Sequence, residues 1–279
     1  MKWIILRGLS REARHWRDFT DRLKVASEDV YALDLPGFGT EKERSCPMTI
    51  KGNTEDLRER WLEIKKANNA NPDEEWGLLG ISLGGMVALD WTHRYPYDFK
   101  RLVVINASSK DTGSNIQRFS LFAWFKSILA LMKKDPYQAE KEVLMMVSNL
   151  KQNDEVILKE FAEIAKESKI TLKKIASQLM ASSQFVLPQS LKVPVLILAS
   201  IKDHMVDVRC SKMMAERLKA QIKFHPTAGH DLTLDDPNWC VEKIYEVDTT
   251  TEKDEHGEQA LPPRGSKANP VSSGRQNTH

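Results

Sequence analysis

Short apolar, β-rich runs alternate along the chain with stretches whose apolar residues recur at helical spacing, the pattern of a parallel sheet covered by helices. Strands are predicted at Trp3–Leu6, Val30–Leu33, Trp76–Gly80, Arg101–Ile105, Val193–Ala199 and Ile222–Phe224. Helices are predicted over Glu12–Lys24, Thr54–Lys66, Gly84–Arg94, Val208–Lys219 and Pro237–Tyr245. Between Ile105 and Val193 the alternation stops. Four helical patterns follow one another there: Ile116–Lys133, Gln138–Leu150, Asp154–Glu167 and Thr171–Ala181. A block of helices inserted after the fourth strand reads as a lid. From about Val247 onward Thr, Glu, Lys, Asp, Gly, Pro and Ser dominate, a composition that cannot bury enough apolar surface to offset chain entropy. The expected organisation is an α/β core of about six mostly parallel strands over residues 1–110 and 188–247. A helical lid is expected over 111–187 and a disordered tail over 248–279.

Composition narrows the function. The 279 residues carry 41 basic and 39 acidic side chains, a formal charge of +2 with no basic block, so the electrostatic footprint of a nucleic-acid binder is missing. Cys46, Cys210 and Cys240 form no close-spaced pair, which argues against a zinc site or a disulfide framework and fits a reducing cytoplasm. The apolar run at the N-terminus breaks at Arg7, too short for a signal peptide. The stretch Leu121–Met132 carries Lys126 and is shorter than the roughly 20 residues of a membrane span. An enzyme or a binding protein for a small molecule remains.

The segment Gly80-Ile81-Ser82-Leu83-Gly84 lies between a predicted strand and a predicted helix. That setting is what a nucleophile elbow needs: the turn is so tight that a Cβ two residues before or after the serine collides with neighbouring backbone. The serine then stands at a helix N-terminus, whose dipole and N–H groups favour an oxyanion.

A nucleophilic serine needs a base held by a carboxylate, in chain order Ser, Asp/Glu, His for this architecture. Of the seven histidines, His15 and His93 fall in helical patterns, His256 and His279 in the tail, and His204 and His225 at positions better suited to structure. His230, in Ala228-Gly229-His230-Asp231-Leu232, lies between the last strand and the last helix and is the best-placed base. The loop after Val195–Ala199 supplies Asp203 as the acid. Its neighbour Asp207 suits a helix cap, and the preceding strand ends in Asn106, which is no carboxylate. For the oxyanion hole, the N–H of Leu83 pairs with that of Leu9 in the turn Leu6-Arg7-Gly8-Leu9-Ser10, where the Ser10 hydroxyl also lies.

In these motifs, in their order, and in Asp34-Leu35-Pro36-Gly37-Phe38-Gly39 and Asp235-Asp236-Pro237, residues 1–246 resemble the α/β-hydrolase superfamily. Within it the chain is most similar to small esterases and thioesterase-like enzymes with a helical lid, including those related to acyl-carrier-protein methyl ester hydrolases. The resemblance implies a minimal six-stranded core and a Ser82–His230–Asp203 triad working through an acyl-enzyme. No metal or organic cofactor is required. The substrate would be a small ester or thioester with a largely apolar acyl group. Two points depart from the pattern or extend it. Arg7-Gly8 replaces the usual His-Gly, putting a cation where it could meet an anionic substrate. The lid is unusually apolar: most of its Phe, Trp, Leu and Met side chains suit packing of lid on core, and some must border the space above Ser82, with Phe122 and Phe125 as candidates. Serine at the elbow disfavours dehalogenase and epoxide hydrolase chemistry. Carbon–carbon bond hydrolases, lyases and cofactor-free haloperoxidases share the triad, and a non-catalytic ligand sensor shares the fold.

Overall fold

The computed structural model describes residues 1–68, 71, 73–168 and 170–246. The predicted tail over 248–279, with His256 and His279, lies outside the described residues. Six strands form one sheet: β1 (Lys2–Leu6), β2 (Asp29–Leu33), β3 (Trp76–Ile81), β4 (Arg101–Ile105), β5 (Val195–Ser200) and β6 (Gln221–His225). Their order is β2-β1-β3-β4-β5-β6, and every pairing is parallel. Parallel strands covered on both faces read as unbroken apolar runs. Here alternate residues go to opposite cores. Ile4, Leu6, Leu78, Leu102, Val104 and Ile197 enter one cluster, while Trp3, Ile5, Leu79, Val103, Ile105, Leu196 and Leu198 enter the other.

The first core is closed by α2 (Ile50–Ala67), α3 (Leu83–Arg94) and α9 (Val208–Leu218), through Trp61, Trp91 and Met214 among others. The second is closed by α1 (Asp18–Val25) and α11 (Pro237–Tyr245), through Phe19, Leu23, Cys240 and Ile244. A short α10 (Leu232–Asp235) precedes α11. Between β4 and β5 lies the helical insertion: α4 (Asn115–Arg118), α5 (Leu121–Met132), α6 (Pro136–Val147), α7 (Glu155–Ser168) and α8 (Leu172–Gln184).

Two predicted helices are divided. Glu12–Lys24 is a 3-10 turn over Ala13–Trp16 followed by α1, with Arg17 between them at φ 49°. The Ala13 N–H, free at a helix start, donates to Asp34 at 2.6 Å, and the positive φ of Arg17 interrupts the helical line. The predicted helix Ile116–Lys133 breaks into α4 and α5 at Phe119–Ser120, since Ser120 turns outward to cap α5 through the Ala123 N–H.

All C-terminal strand ends lie at one edge of the sheet. The chain leaves β1 toward β2 on one side and returns to β3 on the other, so a crevice opens between the ends of β1 and β3, the switch point where ligands of open α/β sheets bind. Gly8 and Ser82 stand at its two lips.

Candidate active site

Ser82 follows β3 directly and caps α3, with φ 55° and ψ −117°, a conformation rarely adopted by a non-glycine residue. Its N–H donates to the Ile105 carbonyl at 2.8 Å, and its carbonyl accepts from Met86 N–H at 3.1 Å. The strain is held in place by packing on both sides. A Cβ at Gly80 would land on the backbone of Gly84, and one at Gly84 on the carbonyls of Leu6 and Arg7. The steric case for glycine on either side of the serine is therefore visible atom by atom.

His230 is 5% exposed, and its Nδ1 lies 2.7 Å from Asp203 Oδ2. The other Asp203 oxygen accepts from the N–H groups of Met205 and Val206 at 2.7 and 3.0 Å. An ionised carboxylate can only accept, so Nδ1 carries the proton toward it. In the neutral imidazole this leaves Nε2 as the lone-pair nitrogen. That atom is buried with no hydrogen-bond partner, and His230 lines the same cavity as Ser82. Asp207 does what its position suggested, capping α9 through the Arg209 N–H.

Neither the Leu9 nor the Leu83 N–H makes a hydrogen bond among the described residues, and both residues line the space at Ser82. The Ser10 N–H instead donates to Gln178 Oε1 at 2.8 Å. Ser10 lines the cavity beside it.

The pattern of the family described as serine aminopeptidase, S33, matches residues 2–237. The chain belongs to that family, and with it to the α/β-hydrolases. This hydrolase is 30% identical over 105 residues to the biotin biosynthesis bifunctional protein BioHC of Teredinibacter turnerae, a stretch covering 37% of this chain and only 16% of that protein. Among solved structures it resembles a thermophilic esterase of Thermogutta terrifontis, at TM-score 0.66 and 18% identity over 88% of each chain. It also resembles 2-hydroxy-6-oxo-6-phenylhexa-2,4-dienoate hydrolase of Rhodococcus sp. strain RHA1, at TM-score 0.67 and 19% identity over 88% of this chain and 89% of that one. At such identities the likeness speaks for the fold.

Two cavities meet at Ser82, Leu9 and Met205 in the hydrolase. One, of about 290 Å³, is bordered by His230, Ile81, Ser127, Leu131, Val143, Met146 and Ile175. The other, of about 470 Å³, is bordered by Leu83, Met86, Phe119, Trp124, Leu179 and Met180. Phe122 and Phe125 border neither. They face outward, 42% and 58% exposed, because α5 turns Ser127, Ala130 and Leu131 toward the smaller cavity instead.

Arg7 also differs from expectation. It borders the smaller cavity, but its guanidinium is 4% exposed, ion-paired with Asp231, and stacked 4.6 Å from the Trp16 ring. Burial pushes the Asp231 carboxyl up, and the adjacent Arg7 cation more than reverses this, holding it below its ordinary value. The charge offered to a substrate by the sequence is thus spent inside the protein. Arg11, its neighbour in the same wall, is likewise paired with Glu140.

Two further groups, to which the sequence reading gave no site role, tie the loops of the site together. Asn106, at φ 45°, donates to the His230 carbonyl at 2.8 Å and to Ser200 Oγ at 3.0 Å, and accepts from the Ser200 N–H. It latches the β5 end to the histidine loop. Asp235 accepts from the N–H groups of Gly229 and Asn149 at 2.7 and 3.0 Å and from the Ser148 hydroxyl, so the same loop is tied to the end of α6. Among the described residues no cluster of three or more His, Cys, Asp or Glu is arranged to hold a metal, and no helix is long and apolar enough to cross a membrane.

Proposed function

We propose that this protein is a serine hydrolase that cleaves a carboxylic ester or thioester of a small, largely apolar acyl group by a Ser82–His230–Asp203 triad. The observation that carries the reading is that a strained Ser82 and a buried His230, held through Nδ1 by Asp203 and without a hydrogen-bond partner at Nε2, border the same cavity. His230 Nε2 takes the proton of Ser82 as its oxygen attacks the acyl carbonyl. Asp203 fixes the imidazole tautomer and favours the imidazolium that forms. The N–H groups of Leu9 and Leu83 receive the oxyanion, where losing one donor costs about 3 kcal/mol. His230 returns the proton to the departing alcohol or thiol, and water then releases the acid by the same sequence in reverse roles.

His230 must reach the leaving group, and it borders only the smaller cavity. The leaving group therefore occupies that cavity, and the acyl chain runs into the larger one, between Met86, Phe119 and Met180. Methionine and aromatic walls suit an alkyl chain. The helical insertion, residues 111–187, supplies most of the walls and acts as the lid.

The test is a panel of esters and thioesters of graded acyl length assayed with the wild type and Ser82→Ala. Turnover that depends on Ser82 supports the proposal; no turnover of any ester or thioester, or turnover indifferent to Ser82→Ala, overturns it.

A further inference from the structure

Three arginines border the two cavities, and two of them are neutralised: Arg7 by Asp231 and Arg11 by Glu140. Arg118, at the end of α4, is different. It borders the larger cavity together with Ser82 and makes no ion pair among the described residues. The acidic groups that bear on it are the Cys210 thiol and Asp111, and Asp111 is engaged by Arg217.

Two main-chain carbonyls at the end of α8 hold the guanidinium in place: Nη2 donates to Ser182 at 2.5 Å and Nη1 to Ser183 at 3.2 Å. A helix C-terminus carries roughly half a negative charge, so the side chain keeps a net positive charge while its orientation is fixed. Its Nε is buried without a partner. A buried donor left unsatisfied is destabilising, and the half-buried guanidinium has no counter-charge to offset its partial desolvation. Burial accordingly pulls the guanidinium below its ordinary pKa. Around it the cavity wall turns from apolar to polar, with Ser108, Asn115, Ser182 and Ser183.

We infer that the acyl chain carries an anionic group, a carboxylate or its equivalent, at the end remote from the scissile bond, and that Arg118 receives it. The substrate class is then the half-ester or half-thioester of an acid with a second anionic end: an apolar middle crosses the Met86 and Met180 walls, and the two ends are read by Ser82 and Arg118. Charge-assisted hydrogen bonds to a fixed guanidinium are roughly twice as strong as neutral ones, so the second charge sets specificity. This inference rests on the acyl assignment made above.

The experiment separates the two claims. Binding of unreactive amides of graded chain length, each ending either in a carboxylate or in a methyl group, is measured by calorimetry with wild type, Arg118→Met and Arg118→Gln. Gln keeps a donor for the Ser182 carbonyl and loses the charge, so it covers the case in which Met perturbs α8. At the best chain length the wild type is expected to prefer the carboxylate by about tenfold or more, and both variants to lose that preference. Equal or weaker binding of the carboxylate by the wild type overturns the inference whatever the variants do, as does a preference that survives in a folded variant. Because these ligands are not turned over, the result stands apart from the Ser82→Ala assay.

Discussion

In the sheet, Ile4, Leu6, Leu78, Val104 and Ile197 are fully buried, and the backbone that presents Ser82 is gripped from both faces. In the helical insertion, α5 leaves Leu121, Phe125, Ile128 and Met132 between 53% and 72% exposed while Ser127 and Ala130 border a cavity. The two regions divide the work. The proposed nucleophile follows a strand end where the flanking glycines leave no room for a Cβ, whereas most of the walls proposed to choose a substrate come from the helical insertion. Changes in the core should therefore remove activity outright, and changes in the insertion should redistribute it among substrates.

The largest effect is expected at Ser82. Ser82→Ala should lower kcat by about 10⁴-fold or more with an unchanged melting temperature; a variant retaining a tenth of the turnover would erase the distinction between the two regions. Asp203→Asn comes next, at about 10³–10⁴-fold, because Asn can donate to Nδ1 and trap the wrong tautomer. A pH–rate profile shifted without that loss would move Asp203 out of the account.

Arg7→Met tests the core through stability. It leaves Asp231 buried and unpaired, and urea unfolding should show a loss of about 3–5 kcal/mol, largely recovered in Arg7→Met with Asp231→Leu. The pair also sets an acid limit. Since the Asp231 carboxyl titrates lower in the folded protein than in the unfolded chain, its contribution is complete above about pH 4 and fades as pH falls through the depressed folded value. Urea midpoints for the wild type should fall over that range more steeply than those of the double variant.

In the insertion, Val143→Phe fills the smaller cavity and should cost bulky leaving groups about 1–3 kcal/mol in kcat/KM while sparing methyl esters. Uniform loss across alcohols would mean that cavity does not receive the leaving group. The smallest effect is expected for Phe122→Ser with Phe125→Ser, less than about twofold on turnover and within roughly 0.5 kcal/mol on stability.

The sheet was legible because parallel strands buried on both faces have no polar side to interrupt them, so Val103 and Val104 read as strand without any tertiary knowledge. The candidates Ser82, Asp203 and His230 could be picked out because each stands in the segment that follows a strand, β3, β5 and β6 in turn, and strand ends share one edge. What escaped depended on partners far away in the chain. Nothing near Arg7 says that Asp231 will neutralise it, and nothing near Arg118 says that no carboxylate will. A helix as apolar as α5, whose polar side chains are Lys126 and Ser127, offers no continuous polar face to orient it, and so its sequence did not reveal that Phe122 and Phe125 are turned outward. Asn106 was read only as the absence of an acid, whereas its amide both donates and accepts and so joins two loops at once.

Whether His230 and Asp203 make Ser82 nucleophilic is read out by brief exposure to a fluorophosphonate followed by peptide mapping. One adduct is expected, on the peptide carrying Ser82, forming far more slowly in His230→Ala and Asp203→Asn. An adduct on another residue such as Ser10, or a Ser82 adduct whose rate ignores His230, would contradict the triad.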